Sequence, residues 1–412
     1  MERSLAGPVS LTTPEGRLNA EAVGWATQPV VDTSGLGRGR GRNKRWEYWN
    51  VTTPTHILAL TVSHIDYACV HEIWVFDRAT EQTRGRAATV VPARGAELAS
   101  VLERGPSRAR AKGLSIDIDE MPGGTRLRAR FEGVSFDVLA ELPERHERLA
   151  LVVPWSETRF QYTVKDVARP ANGILVIDGV EHPVPAGESW AVLDHGRGRW
   201  PYDIAWNWGA GSGRSHGRVI GIQVGARWTA GTGVSENAFF VDGRMHKIHG
   251  ETEWSYDLSA WRRPWRIRGG GLDATFEPFF NKITRTDLLG LLVNDPGNLS
   301  PELLRGDERP SVERTRNLGG VMAQVLPREI IVLLREIGET AAQLGCSAYV
   351  AGGFVRDLLL HVKNTDIDIV VEGDGIQFAR FLAEQRRGVV HPHEKSGTAT
   401  VIFPVQTRID VA

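Results

Sequence analysis

Two kinds of apolar spacing divide the chain. Upstream of about residue 280 the apolar positions fall in short runs such as Ile57-Leu-Ala-Leu-Thr-Val, Leu149-Ala-Leu-Val-Val and Arg218-Val-Ile-Gly-Ile-Gln-Val, bounded by Gly, Pro, Asp or Asn. Runs of that length between turn residues read as strands, and many short strands predict an antiparallel sandwich or barrel. Downstream the spacing lengthens. Ile330, Leu333, Leu334, Ile337, Ala341 and Leu344 recur at three- and four-residue steps, which predicts a helix over Pro327–Leu344. Pro327 suits its first position and Gly345 its stop. Strands at Ser347–Val350, Ile367–Val371, Thr398–Phe403 and Arg408–Val411 interleave with helices at Val355–Leu360 and near Gln377–Gln385, an α/β pattern. Asp307–Thr315, charged and proline-containing, reads as a linker or exposed turn. No internal repeat is visible.

Composition adds four constraints. At 412 residues the chain is about two to three times the modal domain size, so at least two cores are expected. Lys and Arg total 49 against 50 Asp and Glu, which leaves no global positive field to attract nucleic acid or anionic membrane. Cys69 and Cys346 are the only cysteines, too few for a disulfide scaffold or a cysteine-built zinc site. No apolar run approaches the roughly 20 residues that span a bilayer, and the start has no signal-like segment. A soluble protein of a reducing compartment, the cytoplasm, is expected, with no membrane partner. Tryptophan sharpens the division: all 13 lie between Trp25 and Trp265. They imply either a bulky core or an aromatic-lined cavity.

The chemistry-bearing stretch is Tyr349-Val-Ala-Gly-Gly-Phe-Val-Arg-Asp followed by Asn364-Thr-Asp-Ile-Asp-Ile-Val. Asp366 and Asp368 stand two apart on a predicted strand, so their carboxylates share a face. Two such carboxylates can hold a pair of Mg²⁺ ions, which prefer oxygen ligands and bind substrate phosphates as well. Gly352 and Gly353, between strand and helix, let the backbone approach a triphosphate. Asp410 on a later strand completes the set. Ile116-Asp117-Ile118-Asp119 repeats the Asp-x-Asp spacing without a diglycine between a strand and a helix ahead of it, and reads as a solvated strand face.

The segment resembles the catalytic head of the bacterial tRNA nucleotidyltransferase/poly(A) polymerase family, in the polymerase-β-like superfamily. Val371-Glu-Gly-Asp-Gly-Ile, His393-Glu-Lys-Ser-Gly-Thr-Ala and Arg408-Ile-Asp-Val-Ala fit its pattern, with Ser396 standing where an aromatic is expected. The resemblance implies metal binding and catalysis by Asp366, Asp368 and Asp410, and nucleotide binding by Gly352 and Gly353. Arg356 and Asp357 match the family's Arg-Asp pair, which serves the phosphates or forms a structural ion pair. It further implies two Mg²⁺ ions, ATP or CTP as substrate, and attack by an RNA (tRNA) 3′-hydroxyl on the α-phosphate. Ile283-Thr-Arg-Thr-Asp-Leu-Leu resembles the end of a CBS domain; Thr284 and Asp287, its ribose-side positions, are expected to bind nothing. The chain stops two residues after Asp410, before the segments that choose the base and hold tRNA in that family, so weak or absent turnover is expected.

Pro14-Glu-Gly-Arg-Leu-Asn-Ala, Arg42-Asn-Lys-Arg-Trp-Glu-Tyr-Trp, Asp194-His-Gly-Arg-Gly-Arg-Trp-Pro-Tyr and Trp206-Asn-Trp-Gly-Ala-Gly-Ser-Gly resemble an uncharacterised bacterial family, domain of unknown function 2804. It looks related to lipocalin-like β-barrels and a carotenoid hydratase group, which implies an apolar cavity for a small molecule. Both resemblances are expected to break at Phe280–Ile283, the junction of a fusion or chimera. The fold expected is multidomain α+β: a lipocalin-like β-rich domain over 1–282, a CBS remnant and linker over 283–325, and a truncated α/β nucleotidyltransferase head over 326–412. Asp194, His195, Tyr202 and Asp203, next to Trp200 and Trp206, are the candidate polar floor of the cavity. The basic run Arg38–Arg45 and the pair His246/His249 read as surface features. Gly209-Ala-Gly-Ser-Gly reads as strand rather than phosphate loop.

Overall fold

The computed structural model describes residues 2–37, 43–201, 204–257, 259–282, 286–287, 293–294, 326–344, 346, 348–351, 367–371, 373–394, 398–403 and 408–411. The chain divides into two compact units: Met1–Asp257 with Trp261–Phe280, and Leu258–Ala260 with Asn281–Ala412.

The first unit is built from strands. Its largest sheet has fourteen. Central to it are β1 (Asn43–Thr52), β2 (His56–His64), β3 (Cys69–Asp77), β4 (Leu149–Ser156), β5 (Arg159–Ile177) and β6 (Trp190–Arg199). They pair antiparallel in the order β3-β2-β1-β6-β5, with β4 also on β5. The 19-residue β5 is the turning point. Its first half pairs β4 and β6, and its second half pairs Val134–Glu141 and Val180–Val184. Between them the register shifts from Asp166 to Arg169, with Ala168 at φ 59°, a bulge that bends the strand. The sheet thereby curls into a half-barrel. Across its interior Ser107 donates to the Glu47 carboxylate at 2.7 Å. Trp49, Leu60 and Ile73 from one side share one core with Ile116, Leu127 and Val138 from the other.

A second antiparallel sheet runs β7 (Asn207–Ser215), β8 (Arg218–Ala226), β9 (Asn237–Val241) and β10 (Arg244–Ile248) in chain order. Leu149, Leu151 and Val192 of the large sheet pack against Trp228, Ala238 and Phe240, a core separate from the half-barrel's. The Gly209–Gly213 run lies inside β7, as its strand reading requires. The tryptophans serve more than one place: Trp49 fills the half-barrel, Trp228 lies between the sheets, and Trp265 stacks on Tyr256 at 4.7 Å beside the small sheet of Glu253–Ser255, Trp265–Gly269 and Leu272–Phe276.

The second unit carries a five-stranded mixed sheet: β11 (Ala348–Ala351), β12 (Ile367–Val371), β13 (Val389–His393), β14 (Thr398–Ile402) and β15 (Arg408–Val411), ordered β11-β12-β15-β14-β13. Only β12 and β15 pair in parallel. Helices α1 (Arg328–Gln343) and α2 (Gly375–Arg386) bury Leu333, Ile337, Phe378 and Leu382 against Ile367, Ile369, Val401 and Ile409. Asp374 starts α2, its carboxylate accepting from the Ile376 and Gln377 backbone N–H groups at 3.0 Å each. The strand β13 was not expected: it is a mostly exposed edge without apolar alternation, and it carries Pro392, which an edge tolerates. The expected helix Val355–Leu360 and linker Asp307–Thr315 lie outside the described residues. Among the described residues no helix is long and apolar enough to cross a membrane.

Candidate functional site

In the second unit the parallel pairing of β12 and β15 sets Ile367 opposite Ile409, Asp368 opposite Asp410 and Ile369 opposite Val411. Two acids 42 positions apart in the chain thus become register partners on adjacent strands, whose spacing is about 4.8 Å. The isoleucines are fully buried and hold the pairing from the helix-covered side. Asp366, Gly352, Gly353, Arg356 and Asp357 lie outside the described residues, as does Thr284. Among the described residues no three His, Cys, Asp or Glu side chains gather closely enough to hold a metal ion, a group in which the side chains of Asp366, Asp368 and Asp410 do not figure. Asp117 and Asp119 are something else. Arg108 pairs with Asp117 at 2.9 Å, Arg110 with Asp117 at 2.6 Å and Arg128 with Asp119 at 2.7 Å, a cross-strand ion ladder rather than a bare solvated face.

In the first unit the structure separates two residues that the sequence places together. Asp194 and His195 are neighbours on β6, so they project to opposite faces of the sheet. His195 points into the half-barrel, fully buried, edge-on to Tyr162 at 5.8 Å, and among the described residues neither ring nitrogen has a hydrogen-bond partner. Burial, with Arg197 adding, holds its pKa well below the usual imidazole value, so it is neutral. Asp194 points toward the second sheet and pairs with Lys165 at 2.8 Å. Tyr202 and Asp203 lie outside the described residues.

Around Asp194 stands a cluster that the sequence reading missed. The Lys165 ammonium, from β5, also reaches Glu236 at 3.2 Å and lies 5.2 Å from the Trp208 ring centre. The Trp228 indole N–H donates to the Glu236 carboxylate. Burial lowers the pKa of Lys165, but the two carboxylates outweigh it and hold the ammonium charged above its ordinary value. Burial pushes Glu236 up, with the negative charge of Asp194 adding, against the Lys165 ammonium and the Trp228 N–H. Tyr48, edge-on to Trp208 at 6.0 Å, is pushed up to about 12 by burial. The signal for Lys165 was present in the sequence: a Lys-Asp pair inside the run Tyr162-Thr-Val-Lys-Asp-Val is a charge where a strand should be apolar.

Trp228 also lines a cleft of about 350 Å³, with Trp155, Pro201, Ile204 and Arg227 among its walls. The Trp155 indole N–H donates to the Trp228 carbonyl at 2.8 Å. Ring contacts run on from Trp228 to Trp155 at 5.9 Å, from Trp155 to Trp200 at 5.9 Å, and from Trp200 to Trp46 at 5.4 Å. Among other sequence candidates, His249 is exposed and lies 3.6 Å from Glu2, Lys44 stands 4.6 Å over the Trp200 ring, and 38–42 lie outside the described residues.

A curled antiparallel sheet with a second sheet on its outer face, in one chain with a nucleotidyltransferase-like region at its C-terminal end, makes this a β-rich protein, with few helices among the described residues. The chain belongs to the family described as domain of unknown function (DUF2804), whose model matches residues 2–295. That match runs past Phe280–Ile283, where the resemblance was expected to end. A second model, the poly A polymerase head domain, matches residues 348–412. An A-adding tRNA nucleotidyltransferase of Geobacter sulfurreducens is 43% identical over 131 residues, covering 32% of this chain and 15% of that protein. Another, of Halalkalibacterium halodurans, is 33% identical over 105 residues, covering 26% of this chain and 25% of that protein. The chain therefore spans a quarter or less of the length of these relatives. The Thermotoga maritima CCA-adding enzyme complexed with tRNA shares 38% identity over 24% of each chain, with a TM-score of 0.23.

Proposed function

We propose that the C-terminal unit is a metal-dependent nucleotidyltransferase head acting on RNA 3′ ends, of the CCA-adding or poly(A) type. The observation that carries this reading is the in-register pairing of Asp368 with Asp410, supported by the head-domain match over 348–412. In this reading Asp366, Asp368 and Asp410 offer the hard oxygen donors that suit Mg²⁺. When bound, two such ions neutralise phosphate charge and stabilise the attacking and leaving oxygens. Gly352 and Gly353 would offer backbone N–H groups to the phosphates of ATP or CTP, Arg356 and Asp357 would serve the same nucleotide, and a tRNA 3′-hydroxyl would attack the α-phosphate and displace pyrophosphate. The division at residues 283 and 326 and a cytoplasmic setting belong to the same reading. Calorimetric titration of the whole chain with ATP and CTP tests it. Binding should need Mg²⁺ and fall by about tenfold or more in Asp368→Asn, since a carboxylate ligand is lost; nucleotide affinity indifferent to both Mg²⁺ and Asp368→Asn would overturn it.

A second reading concerns the N-terminal unit: a lipocalin-like body that binds an apolar small molecule. The specific observation behind it is the row of indoles Trp228, Trp155 and Trp200 beside the cleft. It predicts quenching of tryptophan emission by hydrophobic compounds, to the same extent in Asp368→Asn.

A further inference from the structure

One end of the half-barrel holds two imidazoles that neither reading above uses. His56 opens β2 and faces the interior, as Leu58 and Leu60 do. His182 lies on the strand Val180–Val184 opposite Leu175, whose side chain belongs to the same core. The two rings are in contact, 4.6 Å from centre to centre. The state of the nitrogens sets this pair apart. His56 is 4% exposed, and its Nε2 is buried with no hydrogen-bond partner among the described residues. Its Nδ1 lies 2.9 Å from the Thr55 hydroxyl. With the Nδ1 proton donated there, Nε2 keeps a lone pair that no described residue takes up, and a buried acceptor left bare is costly. Burial, with His182 adding and Asp77 opposing, holds the His56 pKa below the usual imidazole value, so the ring is uncharged at neutral pH.

A carboxylate stands beside the pair. Asp77, at the end of β3, is the register partner of His56 and shares its face of the sheet. The Thr80 and Ala79 backbone N–H groups donate to its Oδ1 at 3.1 and 2.8 Å and hold the carboxyl below its ordinary value, ionised. Imidazole nitrogen is the donor that suits zinc and copper, and two histidines with one carboxylate are a recurrent set for divalent transition metals. The spacing agrees. Zinc–nitrogen bonds of about 2.0–2.1 Å set two rings on one ion about 5 Å apart, centre to centre. Rotation about the side-chain bonds is then enough to turn two ring nitrogens onto a shared ion. Among the described residues no third His, Cys, Asp or Glu stands close enough to bind that ion directly, so Asp77 acts on it through a water. Two protein ligands leave the other positions to solvent, which makes the site open and its ion exchangeable.

We propose that His56 and His182 bind a divalent transition-metal ion of the zinc type, with Asp77 holding a water in its coordination sphere. The inference is independent of both readings above. It concerns the first unit, and Mg²⁺, which seeks oxygen donors, does not compete for a pair of imidazoles.

The test uses the whole chain, stripped of metal with a chelator, and Zn²⁺ alone as the probe. Bound zinc is counted by equilibrium dialysis at neutral pH with Mg²⁺ in excess. His182→Gln, at a half-buried hairpin position, should bind one zinc ion fewer than the parent while its tryptophan emission stays the same. His56→Gln should lose the same ion. Asp77→Asn keeps the Oδ1 acceptor of its turn, and should retain the ion with affinity about tenfold weaker, the effect expected of a group that orients a ligand. Zinc should also raise the melting temperature of the parent more than that of His182→Gln, because an ion bound only by the folded chain stabilises it. Surface histidines that take up zinc add equally to every variant and cancel in the difference. Equal zinc stoichiometry in the parent and His182→Gln would overturn the proposal, and parental affinity in Asp77→Asn would remove the carboxylate from it.

Discussion

His71 and His195 lie on one transverse row of the half-barrel: His195 faces Glu47 across β6 and β1, Glu47 faces Val62, and Val62 faces His71. Both rings are fully buried, and among the described residues their nitrogens have no hydrogen-bond partner. Burial brings the pKa of His71 down to about 4, with His64 adding. The unfolded chain therefore takes up protons that the folded one refuses. Stability from this group is complete above about 6.5 and declines as pH falls toward 4. Glu120, pushed up to about 7 by burial, acts in the opposite sense, losing stability as pH rises from about 4.5 to 7. Replacing the histidine isolates the first effect. In His71→Leu the melting temperature, followed by tryptophan fluorescence, should fall less steeply between pH 6.5 and 4 than in the parent. An unchanged slope would mean that His71 is protonated inside the fold.

At the scale of elements, the carboxylates around Lys165 come from β6 of the large sheet and from Glu236, in the segment that leads into β9 of the second sheet. Lys165→Ala leaves Glu236 buried, and Asp194 half-buried, without their paired ammonium, a situation that costs about 3–5 kcal/mol. Urea unfolding followed by tryptophan emission should show a loss of that order. Glu236→Gln, which removes the excess negative charge, should cost much less. This cluster also marks what sequence could and could not reveal. The helix over 327–344 and the strand over 367–371 were legible because one buried face imposes a period, and the structure places them at Arg328–Gln343 and Ile367–Val371. The pairing of Lys165 with Glu236 was not, since it depends on one sheet lying over another. Asp194 and His195 misled for the opposite reason: adjacency in sequence guarantees opposite faces on a strand. Asp117 and Asp119 show the same limit, because only the register of three strands reveals their arginines.

For the whole molecule, the cores of the two units share no residue. Both long helices among the described residues belong to the second unit, and every tryptophan belongs to the first. Leu333, 1% exposed in the second core, gives a direct test. Leu333→Ala should cost about 2–5 kcal/mol there, as a cavity among packed side chains does. The loss should appear in the helical ellipticity transition and leave the tryptophan transition where it was. A shift of both by the same amount would show that the units unfold as one.

The indole row has an optical consequence. From Trp228 through Trp155 and Trp200 to Trp46, successive ring centres lie 5.4–5.9 Å apart. At such spacing excitation hops from ring to ring before it is emitted, so the row behaves as an antenna that drains into whatever acceptor touches either end. One absorbing molecule seated beside Trp228 would then darken far more than the one-thirteenth share of a single indole among 13.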